Sequence, residues 1–160
     1  LVSNPHSQLV TLPSGARQFR AVVGWEHRFG PAHCLARLHL PGSGGAPIAV
    51  VSEIRTNERA QGIGSEFPAV ADAVLAALPP EVEVAPGDLV WLAHFGEFSS
   101  FEALDAPERF LRIDLDWDGE HYRGDVSGHH ILKRADAAEL LHGVELDPVP
   151  RVLEELGWRY

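Results

Sequence analysis

Arg59-Ala60-Gln61-Gly62-Ile63-Gly64 stands between two segments of opposite character. Before it, Pro47-Ile48-Ala49-Val50-Val51 is a short apolar run that reads as a buried strand. After it, Ser65 is placed to cap a helix carrying Phe67, Val70, Val74 and Leu78. A glycine-containing turn that opens into a helix N-terminus presents unpaired backbone N–H groups and the positive end of the helix dipole. The two together suit a phosphate or pyrophosphate.

Working towards the N-terminus, residues 19–28 alternate Phe19, Ala21, Val23 and Trp25 against Arg20, Gly24 and Glu26, the pattern of a half-buried strand. Gly30-Pro31 breaks it, 33–40 forms a second strand, Pro41-Gly42-Ser43-Gly44-Gly45 a turn, and 47–55 a third strand. Three strands with short connections predict an antiparallel meander. Residues 1–15 are the least patterned and are read as an arm or edge strand. Towards the C-terminus, Pro68 is tolerated in the first turn of the 65–78 helix and Pro79-Pro80 stops it. Residues 88–95 (DLVWLAHF) are a continuous apolar run, as in a central strand. Residues 97–104 predict a helical turn. Residues 109–117 alternate Leu111, Ile113, Leu115 and Trp117 against Arg112, Asp114 and Asp116, and Asp118-Gly119 turns them into 120–126 as a hairpin. Two short C-terminal helices follow. Asp136 and Glu139 start the first, which Gly143 ends; Asp147-Pro148 opens the second, which Gly157 ends. The fold class is α+β, a mostly antiparallel sheet with one longer central helix and two short C-terminal ones, and the 160 residues are read as a single domain.

Composition narrows the function classes. Hydrophobic residues make up 45% and charged residues 22%, a globular mixture, and no stretch reaches the roughly 20 apolar residues of a membrane span. The first fourteen residues lack a basic segment followed by an apolar one, so no secretory signal is expected; with the single cysteine, Cys34, this points to a reducing, cytoplasmic setting. Cys34 alternates onto the side of Ala36 and Leu38 and reads as a small buried hydrophobe. The net charge of −10, from 23 acidic and 13 basic residues, opposes nucleic acid and anionic membranes as partners. The bias to arginine over lysine, with abundant alanine, points to a GC-rich bacterial genome.

The 59–64 string has the form R/Q-x-x-G-x-G/A and resembles the acyl-CoA-binding motif of the GNAT N-acetyltransferases. The order of elements, a meander, a glycine turn, a helix, a further strand, a short helix and a hairpin, is similar to that family's core, and the closing 153–159 segment (LEELGWR) resembles its last phrase. The resemblance implies an N-acyltransferase that uses acetyl-CoA or another acyl-CoA on a small-molecule amine. It implies that Arg59, Gln61, Gly62, Ile63, Gly64 and Ser65 hold the cofactor, and that Glu53, near the end of the preceding strand, is the general base, with His94 as second candidate. The layout also resembles small actinobacterial proteins with a Ser-Glu strand end, here Ser52-Glu53, a likeness that implies no activity.

Other constellations carry less chemistry. Nine histidines include His121, the adjacent His129-His130, and His33 and His39 at even spacing, but no His/Cys/Asp/Glu spacing matches a zinc pattern, so no metal is expected. Ser99-Ser100 lacks the elbow of a hydrolase nucleophile. Arg20, Glu26, Arg37, His39, Glu53, Arg112, Asp114 and Asp116 oppose apolar neighbours and are expected to form solvated sheet faces with cross-strand ion pairs, or else a concave face for a ligand or protein. Trp25, Trp91 and Trp117 fit core positions and Trp158 an exposed anchor. The alternative to an enzyme is a non-catalytic acidic inhibitor, of the immunity type, whose carboxylates Asp114, Asp116, Asp118 and Glu120 meet a basic protein partner.

Overall fold

The computed structural model describes residues 5–27, 30–42, 45–54, 66–95, 109–124, 129–132 and 139–159. Its strands are β1 (Ser7–Thr11), β2 (Arg17–His27), β3 (Gly30–Leu40), β4 (Ile48–Ile54), β5 (Val90–Phe95), β6 (Arg109–Ile113), β7 (Asp116–Trp117), β8 (Tyr122–Arg123) and β9 (His129–Leu132). Helix α1 spans Phe67–Ala76, helix α2 spans Val149–Glu155, and Pro86–Asp88 makes a 3₁₀ turn. The main sheet has the order β1-β2-β3-β4-β5-β6-β9, and β7 and β8 form a separate ribbon.

Every neighbouring pair in the main sheet is antiparallel except β4 and β5. The meander forms as its alternation requires, with Arg17↔Leu40 to His27↔Gly30 between β2 and β3 and His33↔Ile54 to His39↔Ile48 between β3 and β4. The N-terminal arm supplies an edge strand. Two parallel neighbours need a crossover, and the connection from β4 to β5 contains α1.

One face of the sheet carries Phe19, Val23, Trp25, Cys34, Leu38, Val51 and Trp91, and α1 covers it with Phe67, Val70, Ala71 and Val74. Pro68 lies in the first turn of α1, as its missing N–H allows, and the helix closes at Ala77 before Pro79-Pro80. The N-cap position is Glu66, which makes no capping bond; the expected cap Ser65 lies outside the described residues. Glu66 instead accepts a 2.8 Å hydrogen bond from Trp25 Nε1, tying the start of α1 to β2.

The opposite face is also covered. Val149, Val152, Leu153 and Leu156, at helical spacing, pack α2 and the residue after it on Val22, Leu35 and Ile54. Leu141 and Leu146 pack on Val50 and Leu92. Trp158, expected as an exposed anchor, is partly buried between His6 and His33, with ring centroids 5.4 and 4.8 Å away. Of the other expected C-terminal helix, residues 133–138 lie outside the described set, as does the 97–104 turn.

One strand expectation requires correction. Residues 109–117 are not a single strand: β6 stays in the main sheet, whereas β7 leaves it to pair with β8. Alternation has the same phase in both pieces, so it could not report the break. The ribbon turns at Gly119, with φ +98°, and at Gly124 a Cβ would meet Leu115 Cδ2 at 2.6 Å, so a larger residue there requires the end of the Leu115 side chain to move. The ribbon delivers Tyr122, 3% exposed, onto Trp91.

Candidate functional site

The exceptional parallel pair is where the chain could admit a ligand. The β4–β5 ladder runs from Ile48↔Val90 to Ser52↔His94. Beyond that point β4 remains paired with β3 through Ile54, and β5 with β6 through Phe95. The ladder thus reaches the C-terminal ends of both strands, one residue short of Phe95, and β4 leads from there into the 55–65 segment. In sheets with parallel crossovers, ligands bind outside the carboxyl ends of the strands, where neighbouring connections diverge.

Glu53 is the first residue of β4 past the ladder with β5, and it is 6% exposed. Alternation puts it on the α1 face with Ala49 and Val51, opposite Cys34 in register. The Trp25–Glu66 bond lies towards the same end, because β2 runs in the direction of β4. His94 is opposite Ser52, a position of the other parity. The two candidate catalytic residues thus lie at the same edge of the sheet. Arg59, Gln61, Gly62, Ile63, Gly64 and Ser65 lie outside the described residues. No tyrosine among the described residues stands at this edge, since Tyr122 packs on Trp91, three positions before His94.

Cys34 is fully buried, and burial, followed by the Glu53 charge, pushes its thiol well above the usual range. A thiol so held is no nucleophile at neutral pH. Native protein is therefore expected to resist iodoacetamide at pH 8 and to take up one equivalent in denaturant, as counted by intact mass. Stoichiometric labelling of folded protein would contradict this burial.

A second polar cluster occupies the opposite face, and the sequence did not reveal it as buried. Gln18, Arg20, Arg37, His39 and Ser52 are each at most 5% exposed, which for Arg20, Arg37 and His39 runs against the expectation of solvated strand faces. The physical reason is the C-terminal segment laid over them. Arg20 meets Asp147 Oδ2 at 3.0 Å and Glu155 Oε2 at 3.4 Å and donates from Nε to Gln18 at 2.7 Å. Arg37 donates to the Asp147 carbonyl at 2.6 Å, and Gln18 Nε2 to the Glu145 carbonyl at 2.9 Å. The signal that could have found it is the Val149, Val152, Leu153, Leu156 stripe, which needs an apolar partner surface and finds it on that face.

The acidic ribbon is largely occupied with itself. Asp118 accepts from the backbone N–H groups of His121 and Glu120 at 2.7 and 2.9 Å and pairs with Arg123 at 2.6 Å. The His121 N–H, the Arg123 side chain and the Glu120 N–H hold its carboxyl far below the usual range. Asp114 pairs with Arg112 at 3.2 Å. Glu26, Arg112, Asp114 and Asp116 are exposed as expected. Among the described residues, no group of His, Cys, Asp and Glu is arranged to hold a metal ion, and no helix is long and apolar enough to cross a membrane.

Compared with protein families, curated proteins and solved structures, the chain gives no match in any of the three.

Proposed function

We propose that the protein is a GNAT-like acyltransferase that moves an acyl group from acyl-CoA to a small amine. The observation that carries the reading is the parallel β4–β5 pair, with buried Glu53 immediately beyond its last registered pair, Ser52↔His94. The same strand leads into the Gly62–Gly64 turn and α1, whose sequence suits a pyrophosphate. In this reading the thioester lies between the strand ends. The amine nitrogen attacks the thioester carbonyl, Glu53 takes the amine proton directly or through a water, and the carbon–sulfur bond breaks to release CoA thiolate, which takes up a proton. His94 is the second candidate for proton transfer, and Cys34 is excluded as an acyl carrier by its buried, protonated thiol.

Acetyl-CoA is expected to raise the melting temperature saturably, by mass action on the folded state. Glu53→Gln is expected to reduce acyl transfer to a panel of primary amines by at least about a hundredfold, in the range of a lost general base, while acetyl-CoA affinity stays within about twofold. The absence of any thermal shift at millimolar CoA would defeat the cofactor reading; unchanged transfer in Glu53→Gln would defeat the role of Glu53 alone. The alternative, an acidic module for a basic protein, draws less support from the ribbon, because Asp114 and Asp118 already have arginine partners.

A further inference from the structure

The polar cluster beneath the C-terminal segment has a charge left over. Arg37 is 4% exposed, yet the oxygens bonded to it are neutral: the Asp147 carbonyl at 2.6 Å from Nη1 and the Ser52 hydroxyl at 3.5 Å from Nη2. The Asp147 and Glu155 carboxylates are engaged by Arg20 instead. Arg20 is also directly opposite Arg37 in register. Burial, then the Arg20 charge, hold the Arg37 guanidinium down to about 10, with Asp147 opposing them. Arg37 Nε has no hydrogen-bond partner among the described residues.

His39 lies two residues further along β3 on the same face, 5% exposed, and its Nδ1 is likewise unpartnered among the described residues. Opposite it in register, Gln18 has both ends of its amide committed, one to Arg20 and one to the Glu145 carbonyl. Burying a cation without a bonded counter-anion is costly, and buried donors are ordinarily satisfied. Two unsatisfied nitrogen donors on neighbouring, same-face side chains, one of them a guanidinium, have the chemistry of an oxyanion's partners.

We propose that Arg37 Nε and His39 Nδ1 are the donor pair of a binding site for a small oxyanion, inorganic phosphate or a short carboxylate, held between the sheet and the C-terminal segment. Arg37 donates to one oxygen of the anion and His39, as its Nδ1–H tautomer or as imidazolium, to another. The exposed Glu145 carboxylate, the acid whose charge acts on His39, is the internal competitor, and its exposure lets water screen it. The site is on the sheet face opposite Glu53 and does not depend on the acyltransferase reading.

The test compares thermal unfolding and titration calorimetry in sodium phosphate, sodium acetate and sodium chloride at equal ionic strength and pH 7. A saturable rise in melting temperature and a binding heat with phosphate or acetate, absent with chloride, are expected, and the salt that binds more tightly identifies the anion class. His39→Leu keeps an apolar volume under the segment and is expected to weaken that anion by about tenfold, the worth of one charge-assisted hydrogen bond. Arg37→Lys, which lacks Nε, is expected to weaken it at least as much. Equal melting in the three salts, a rise that never saturates, or binding that His39→Leu leaves intact would each overturn the site.

Discussion

Trp91→Ala is expected to destabilise the protein by about 3–5 kcal/mol, the range for removing a large aromatic from a closed core. Trp91 is 1% exposed and takes Phe67 of α1 and Tyr122 of the ribbon edge-to-face at 5.5 and 5.6 Å. It therefore joins three elements distant in sequence. Trp91→Phe is expected to cost far less, roughly 1 kcal/mol, because it also removes an indole N–H that has no hydrogen-bond partner among the described residues. Urea unfolding followed by far-UV circular dichroism decides the order. A loss of less than about 1 kcal/mol for Trp91→Ala would mean that the ribbon and α1 do not meet on this ring.

The second large effect is at the C-terminal pin. Asp147→Leu is expected to cost about 2–3 kcal/mol, because it strands the buried guanidinium of Arg20, whose other carboxylate partner, Glu155, lies at 3.4 Å. The figure is set below the full cost of breaking a buried pair since Asp147 is 38% exposed and water relieves part of the loss. Arg20→Met combined with Asp147→Leu is expected to recover most of the stability, as apolar side chains replacing a buried pair commonly do. A double mutant no more stable than Asp147→Leu would show that Arg20 acts chiefly through Gln18, to which it donates at 2.7 Å.

The meander was legible because its information is local. In β2 and β3 each side chain's face follows from parity, and short glycine-rich and proline-rich turns leave little choice of partner. The α1 helix was legible for the same reason, with apolar spacing at one end and Pro79-Pro80 at the other. The apolar run at β5 was recognisable as a central strand, but its parallel pairing with β4 was not, because a run apolar on both faces carries no sense of direction. The break between β6 and β7 was invisible, since both halves keep one phase. For the candidate site, Glu53 could be placed near a strand end from sequence. That His94 pairs with Ser52, next to Glu53, follows only from the tertiary structure.

By itself, then, the sequence determined the three meander strands, the helix that follows them, the α+β class and the acidic balance, all properties of neighbouring residues. Tertiary structure decided what happens to the polar parity of β2 and β3. Arg20, Arg37 and His39 read as solvated because alternation reports which side a residue faces and says nothing of what lies on that side. What lies there is a segment 127 residues away from Gln18 in the chain, whose apolar stripe is stable only against Val22, Leu35 and Ile54. Once that stripe docks, the charges beneath it lose water, and Asp147, Glu155 and Gln18 become the partners that make the docking possible. Solvation is a property of the whole fold, so the fate of those cations could be settled only when both ends of the chain were in place.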